Sequence, residues 1–378
     1  MRSLAVDVVV VGAGIAGASV AAALAEDRDV VLLEREPFPG MHSTGRSAAL
    51  FSEIYGGAAV RALSRASRDF FYSPPSGFAS VPLVRRRGAL HLASRTQIGA
   101  LEKFCTLPDV APAIQSLTGR EAIALCPILR EQYVAAAALE TASADVDVDA
   151  LHQGWLRLLK ARAGTLMVEA EVVAISRDAR GWRVTTRDRE ITAPTIVNAA
   201  GAWADDVAKL AGVRTVGLQP RRRTALIVDA PKDALTDAWP MVIDVDEQFY
   251  FRPDAGALLL SPADETPSPP CDAQPEEWDI ATAIDRVATA TTLEVTHVRR
   301  SWAGLRSFAP DRNPVVGYAP EATGFFWLAG QGGYGIQTAP AMADLAAALI
   351  KGEAVPNRVA SSGVEVSALG PGRFEPRH

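Results

Sequence analysis

At 378 residues, 48% of them hydrophobic and 22% charged, the chain can bury a large core and build two domains, and it is not a disordered segment. A formal net charge of −6 gives no general electrostatic reason to bind nucleic acid, the triplets Arg85-Arg86-Arg87 and Arg221-Arg222-Arg223 being local exceptions. The three cysteines, Cys105, Cys126 and Cys271, form no CxxC pair and argue against a disulfide framework or a zinc site. No metal is therefore expected, and a reducing cytoplasm fits best, with the inner-membrane surface as a second location.

The apolar run at residues 6–11 reads as a strand. It meets the turn Gly12-Ala13-Gly14-Ile15-Ala16-Gly17, a small-residue helix, and a second strand, Val30-Val31-Leu32-Leu33, that ends on Glu34. This is a dinucleotide-binding βαβ start: one glycine for the tight turn, one for backbone approach to a pyrophosphate, one for close helix packing. Glu34 stands where a carboxylate accepts both ribose hydroxyls and repels a 2′-phosphate. The same opening superficially resembles a secretory leader, but Asp7 interrupts its apolar part and the segment runs directly into the acid-bearing strand. No integral membrane segment is expected.

Further along, residues 150–159 have the three- and four-residue apolar spacing of a packing helix, with acidic residues before it as a cap. Strands are expected at residues 166–168, 172–176 and 182–186, with a turn at 177–181, and another at residues 191–199. Asn198-Ala199-Ala200-Gly201-Ala202-Trp203 then turns into a helix. A third strand-to-helix crossing follows: a buried strand at residues 325–330, the loop Gln331-Gly332-Gly333-Tyr334-Gly335, and an alanine-rich helix over residues 336–350.

Three crossings suit a ligand longer than NAD. FAD has adenosine, pyrophosphate and ring far apart, and backbone N–H groups at the last helix start would stabilise charge on its reduced ring. The fold class expected is α/β: a Rossmann-like FAD-binding domain with a mixed α+β substrate domain containing an antiparallel sheet. Residues 1–55, 142–215 and 314–360 are assigned to the FAD-binding domain, and 56–141 and 216–313 to the substrate domain. The latter contains a proline-rich loop at residues 261–270, and residues 361–378 are read as a loosely packed tail.

Several segments, in order, resemble the FAD-dependent D-amino-acid oxidase and glycine oxidase superfamily. They are the N-terminal fingerprint, residues 42–49 (His-Ser-Thr-Gly-Arg-Ser-Ala-Ala), residues 198–203, Phe249-Tyr250, residues 302–308 (Trp-Ala-Gly-Leu-Arg-Ser-Phe) and residues 331–338. Within it, the bacterial D-arginine dehydrogenase branch is the most similar. The resemblance implies oxidative deamination of a D-amino acid, by hydride transfer from the α-carbon to flavin and hydrolysis of the imino acid to a 2-oxo acid and ammonia. The partners implied are a small amino-acid substrate and an electron acceptor left open among quinone, dye and oxygen.

Residue by residue, it implies that Arg223 and Arg306 hold the substrate carboxylate, Tyr250 donates to it, Gly333 offers backbone at the amine, and Tyr55 closes over the site. Bidentate guanidinium suits a planar carboxylate. Each also has a structural alternative: an ion pair for either arginine, core or surface packing for Tyr250, an ordinary loop aromatic for Tyr55. The FAD contacts implied are Gly12, Gly14, Ile15, Ala16, Gly17, Glu34, Arg35, His42, Ser43, Thr44, Arg46, Ser47, Ala48, Val172, Val173, Ala200, Gly201, Trp203, Arg306, Gly332, Gly333, Tyr334, Gly335, Ile336 and Gln337. His42 also suits a turn cap, the role an isolated histidine favours, and Trp203 and Trp302 suit packing.

Two departures bear on substrate choice. Where D-arginine dehydrogenases present a carboxylate this chain places Ala89, and where they present a histidine it places Leu50. Losing both polar groups removes selection for arginine and lysine, so apolar side chains are expected. No cysteine lies in residues 302–308, where related sarcosine oxidases attach flavin, so FAD is expected to be noncovalent. The alternatives are a flavin oxidoreductase acting on glycine, a secondary amine or a 2-hydroxy acid, and an FAD-binding protein without turnover.

Overall fold

The computed structural model describes residues 2–374 other than 180 and 233. One half is framed by a six-stranded sheet in the order Thr165–Met167, Val30–Leu33, Val8–Val11, Thr195–Asn198, Phe325–Ala329, Val315–Tyr318. All neighbours are parallel except the last pair. Both faces are covered, which is why these strands are unbroken apolar runs rather than alternating ones. Val8 and Val10 pack with helices Ile15–Leu24, Val148–Ala161 and Gly335–Lys351, while Val9 and Val11 join Trp182, Val184 and the helix Ala204–Leu210 on the opposite face.

The single strand expected at residues 191–199 is two. Arg189–Ala193 belongs to a four-stranded sheet with Arg2–Ala5, Gly181–Thr186 and Val172–Asp178, and Thr195–Asn198 belongs to the parallel sheet. Pro194, between them, has no N–H to donate to a ladder, so the chain changes sheets there. The turn expected at residues 177–181 shortens to a hairpin with Asp178 opposite Gly181, and its residue 180 lies outside the described residues.

The other half is a ten-stranded sheet, antiparallel except where Met241–Asp244 runs parallel to Ala89–Ala93. Helices Gly119–Leu125 and Glu277–Ala290 cover one face, and the cavities described below open on the other. Sheets of both kinds thus match the mixed architecture expected. Two boundaries need correction. The helix Ala58–Tyr72, placed with the substrate domain, packs through Ala62, Leu63, Ala66 and Phe71 into the core of the nucleotide-binding half. Ser64 and Ser67 of this helix bond Gln337 and the Ala341 N–H. The tail is not loose as far as Phe374: Leu369 is fully buried, and Arg373 binds Asp311 and four backbone carbonyls. Residues 375–378 lie outside the described residues. Among the described residues no helix is long and apolar enough to cross a membrane.

The arginine triplet at residues 221–223 is half-buried and engaged within the protein. On the 11-residue strand Gln219–Asp229, Arg222 points to the helix face and pairs with Asp279 at 2.9 Å and with Glu276. Arg221 donates to the Glu265 carbonyl at 3.0 Å. Arg222 and Asp279 are 11% and 8% exposed, so breaking the pair strands a buried carboxylate. Arg222→Met is expected to lower stability by about 3 kcal/mol in urea denaturation monitored by fluorescence, without loss of ligand binding at the opposite sheet face.

Candidate active site

The glycine turn is built by steric exclusion. Gly12 has φ +100°, and a Cβ there would press on Ala199 at 2.6 Å; a Cβ on Gly17 would overlap the Gly12 carbonyl. A Cβ on Gly14 would meet only the Thr44 hydroxyl at 3.2 Å, so this glycine faces open space. Gly17 is therefore a packing residue and does not line the cavity, a correction to its expected cofactor contact. Glu34 holds the turn: its two carboxylate oxygens accept from the Ala13 N–H at 2.9 Å and the Glu36 N–H at 3.0 Å. His152, kept neutral by burial, donates through Nε2 to the Ala13 carbonyl at 2.9 Å. The helix Ile15–Leu24 has no acid in its first turn, which leaves its positive end for an anion.

From this turn a cavity runs between Gly12, Gly14, Ile15, Ala16, Glu34, Arg35, His42, Ser43, Thr44, Val172, Ala200, Gly201 and Trp203. The Arg35 guanidinium lies 3.9 Å above the Trp203 ring, and His42 sits 4.8 Å from that ring with Nε2 2.9 Å from Glu36 Oε1. Val173 does not line it: a bulge between Val172 and Ala174 turns Val173 outward, 45% exposed.

A second cavity continues from the first. Ile15, Ser43, Thr44, Leu305, Gly332 and Gly335 line both, and Arg46, Ser47, Ala48, Arg306, Gly333, Ile336 and Gln337 line the second. Tyr334, expected as a flavin contact, lines neither; it faces an outer vestibule. The segment 42–48 is stitched to the strand Val298–Phe308. The Ser43 hydroxyl donates to the Leu305 carbonyl at 2.6 Å, Arg46 donates to Ala303 at 3.0 Å and pairs with Asp272, and Trp302 Nε1 donates to the Arg46 carbonyl at 3.0 Å. Trp302 is thus an anchor.

Arg306 dominates the second cavity. Its side chain is 12% exposed and lies so close over Gly333 that any Cβ there would overlap the guanidinium. Nη2 donates to the Tyr55 hydroxyl at 2.9 Å, whereas Nη1 is buried with no hydrogen-bond partner among the described residues. Its nearest countercharge is Glu265 Oε1 at 3.5 Å. Arg223, on the adjacent strand and the same face, is already engaged: Nε donates to the Asp264 carbonyl at 2.7 Å, and Nη2 lies 3.3 Å from Glu265. Glu265 also receives both Arg312 nitrogens, at 2.9 and 3.0 Å. Burial pushes its carboxyl up, but the arginines outweigh this and hold it below its ordinary value.

Tyr250, Leu50, Tyr55, Met241, Ile243 and Phe249 complete the chamber. Ala89 is fully buried behind Leu50, Met241 and Tyr250 and does not line it, contrary to expectation; His91, two residues on and on the same strand face, does. Glu265, Arg312 and His91 were missed by sequence reasoning. Glu265 stands in the proline-rich loop, and no local pattern announces that it meets arginines from two strands. Cys271 packs beside Ala303 and Leu305 but lines neither cavity.

Comparison with known proteins decides the cofactor. The family model "FAD dependent oxidoreductase", DAO, matches residues 7–349. The chain belongs to that family. Mouse mitochondrial sarcosine dehydrogenase is 31% identical over 156 residues, 38% of this chain and 16% of the relative. The chain spans only 34% and 16% of the lengths of the first curated relatives it matches. Among solved structures, glycine oxidase from Geobacillus kaustophilus superposes with a TM-score of 0.84 at 21% identity, covering 99% of both chains. L-proline dehydrogenase from P. horikoshii gives 0.83 at 22%, covering 99% and 98%. The protein is an FAD-dependent oxidoreductase, and the turn whose glycines exclude a Cβ, the helix end with no acid in its first turn and the paired cavities fit FAD.

Two outcomes follow from this geometry. Gly17→Ala is expected to be purified with little or no flavin absorbance near 450 nm and a lowered Tm, because the turn must open to admit the methyl group. Glu140, 1% exposed, accepts from the Ser52 hydroxyl at 2.8 Å and the Glu53 N–H at 3.2 Å just behind the chamber, and burial raises its carboxyl from 4.5 to about 7. As pH rises through 4.5 the unfolded chain releases this proton first, so the native state loses stability until about pH 7. Glu140→Gln removes that loss. Its stability relative to wild type is expected to improve by ~3 kcal/mol from pH 4.5 to 8 in denaturant titrations.

Proposed function

We propose that the protein catalyses oxidative deamination of an amino acid, D-configured as the family resemblance implies, with an apolar side chain favoured. The observation that supports this most is Nη1 of buried Arg306 beside Gly333, at the flavin end of the paired cavities: it makes no hydrogen bond, and its one countercharge among the described residues, Glu265 Oε1 at 3.5 Å, is shared with Arg223 and Arg312. A buried cation with an unanswered donor calls for an anion, and a substrate carboxylate answers it. FAD supplies the hydride acceptor for the substrate α-carbon.

In this reading Arg306 fixes the carboxylate, with Tyr250 donating to it. Tyr55 closes the outer side and already accepts from Arg306. Arg223 acts through Glu265 and Asp264 more than directly, since both hold its guanidinium. The Gly333 backbone faces the amine, and the walls formed by Leu50, Met241, Ile243 and Phe249 receive the side chain. Holding the α-hydrogen toward the flavin is the main contribution such a site makes. A second reading, glycine or a secondary amine, is favoured by the substrates named for the glycine oxidase, L-proline dehydrogenase and sarcosine dehydrogenase relatives. The electron acceptor is quinone, dye or oxygen.

Anaerobic mixing with a panel of D-amino acids, L-amino acids, glycine, sarcosine and 2-hydroxy acids tests the reading. Bleaching of bound flavin by apolar D-amino acids is expected; bleaching by hydroxy acids alone, or by nothing, contradicts it. Arg306→Met is expected to raise KM by roughly 100-fold while flavin stays bound. Acid precipitation is expected to leave the protein pellet colourless, since FAD is held without a covalent bond.

A further inference from the structure

The chamber and the outer vestibule meet at a neck lined by Tyr55, His91, Ile243, Glu247 and Ala263. His91 is carried by the strand Ala89–Ala93, is 6% exposed, and lies with its ring 4.9 Å from that of Phe104. Its Nε2 is buried with no hydrogen-bond partner among the described residues, and Nδ1 makes no hydrogen bond to protein either. No part of the flavin site described above uses it. Buried polar groups are normally answered, so an imidazole left open on a cavity wall points to a partner that arrives with a ligand.

We propose that His91 is the specificity-determining residue of the chamber, hydrogen-bonding one uncharged polar group, a hydroxyl, phenol or carboxamide, on the substrate side chain. This rests on the amino-acid reading above and narrows its apolar side chain to one that carries a single polar group: beside the apolar wall of Leu50, Met241, Ile243 and Phe249, His91 is a polar point that no protein hydrogen bond engages. Burial pushes the imidazole down to about 4, so near pH 7 it offers one N–H and one lone pair and no charge. A charged side chain gains no opposite charge from it to offset the cost of leaving water. An apolar side chain leaves it unanswered, and a polar one of matching length satisfies it, which discriminates by roughly 10- to 100-fold.

Paired ligands differing only in that group provide the test. Flavin absorbance of the holoenzyme is titrated with 3-(4-hydroxyphenyl)propanoate and with 3-phenylpropanoate, carboxylates that have no amine to oxidise. The hydroxylated ligand is expected to bind 10- to 100-fold more tightly to wild type, to lose that advantage in His91→Leu, and to regain part of it in His91→Gln. The same hydroxylated ligand is expected to raise Tm more than its partner. Equal binding of the two by wild type overturns the proposal without any variant, as does a preference that survives in His91→Leu. Turnover is read separately, as kcat/KM for D-tyrosine against D-phenylalanine. If the carboxylates bind with the expected preference and no amino acid bleaches flavin, the amino-acid reading fails and the role of His91 stands. If D-lysine or D-arginine exceeds both aromatic substrates, Glu247 rather than His91 selects the side chain and the proposal is overturned.

Discussion

Arg306 is the charge around which the site is arranged. A guanidinium held 12% exposed needs compensation, and the protein supplies only part of it: the Tyr55 hydroxyl at 2.9 Å and Glu265 at 3.5 Å. Gly333 exists at its position because nothing larger fits under that side chain. The remaining nitrogen, Nη1, has Glu265 as its countercharge but no hydrogen bond among the described residues. Burial makes such a cation expensive when unpaired and selective when paired, which is the physical basis for reading it as an anion holder.

Placement of that cation relative to the flavin end follows from strand pairing. At the edge of the ten-stranded sheet the strand Val298–Phe308 pairs Ser307 with Gly332 and Phe308 with Gln331, both in the loop that follows the parallel strand Phe325–Ala329. On its other side Ser43, Arg46 and Trp302 tie the segment after the glycine turn to the same strand. One backbone therefore sets both the carboxylate anchor and the glycine loop that begins the last helix. Relative motion of the two halves would have to break these bonds, so the distance between anchor and cofactor is fixed by covalent and ladder geometry rather than by side-chain flexibility.

What the sequence made legible was local. The glycine turn, Glu34 and the three strand-to-helix crossings depend on spacing over a few residues, and buried parallel strands advertise themselves as apolar runs. Arg306 stood out because aromatic neighbours at 302 and 308 flank it. Pro194 was visible, but whether a proline ends a strand or transfers it to another sheet depends on partners far along the chain. Val173 failed for a similar reason, since a bulge reverses which neighbour faces inward. Ala89 and His91 share one strand face, and only depth in the packed structure separates a wall residue from one behind it. Glu265 meets Arg223 across 42 positions and Arg312 across 47, a pairing that no periodicity announces.

The central claim is that Arg306 Nη1 receives a ligand carboxylate beside the flavin. A crystal structure of the holoenzyme with bound benzoate tests it most directly. The account predicts a carboxylate oxygen about 3 Å from Nη1, with the ring toward Leu50 and Ile243. Benzoate seated elsewhere, with Arg306 still facing only Tyr55 and Glu265, would contradict it.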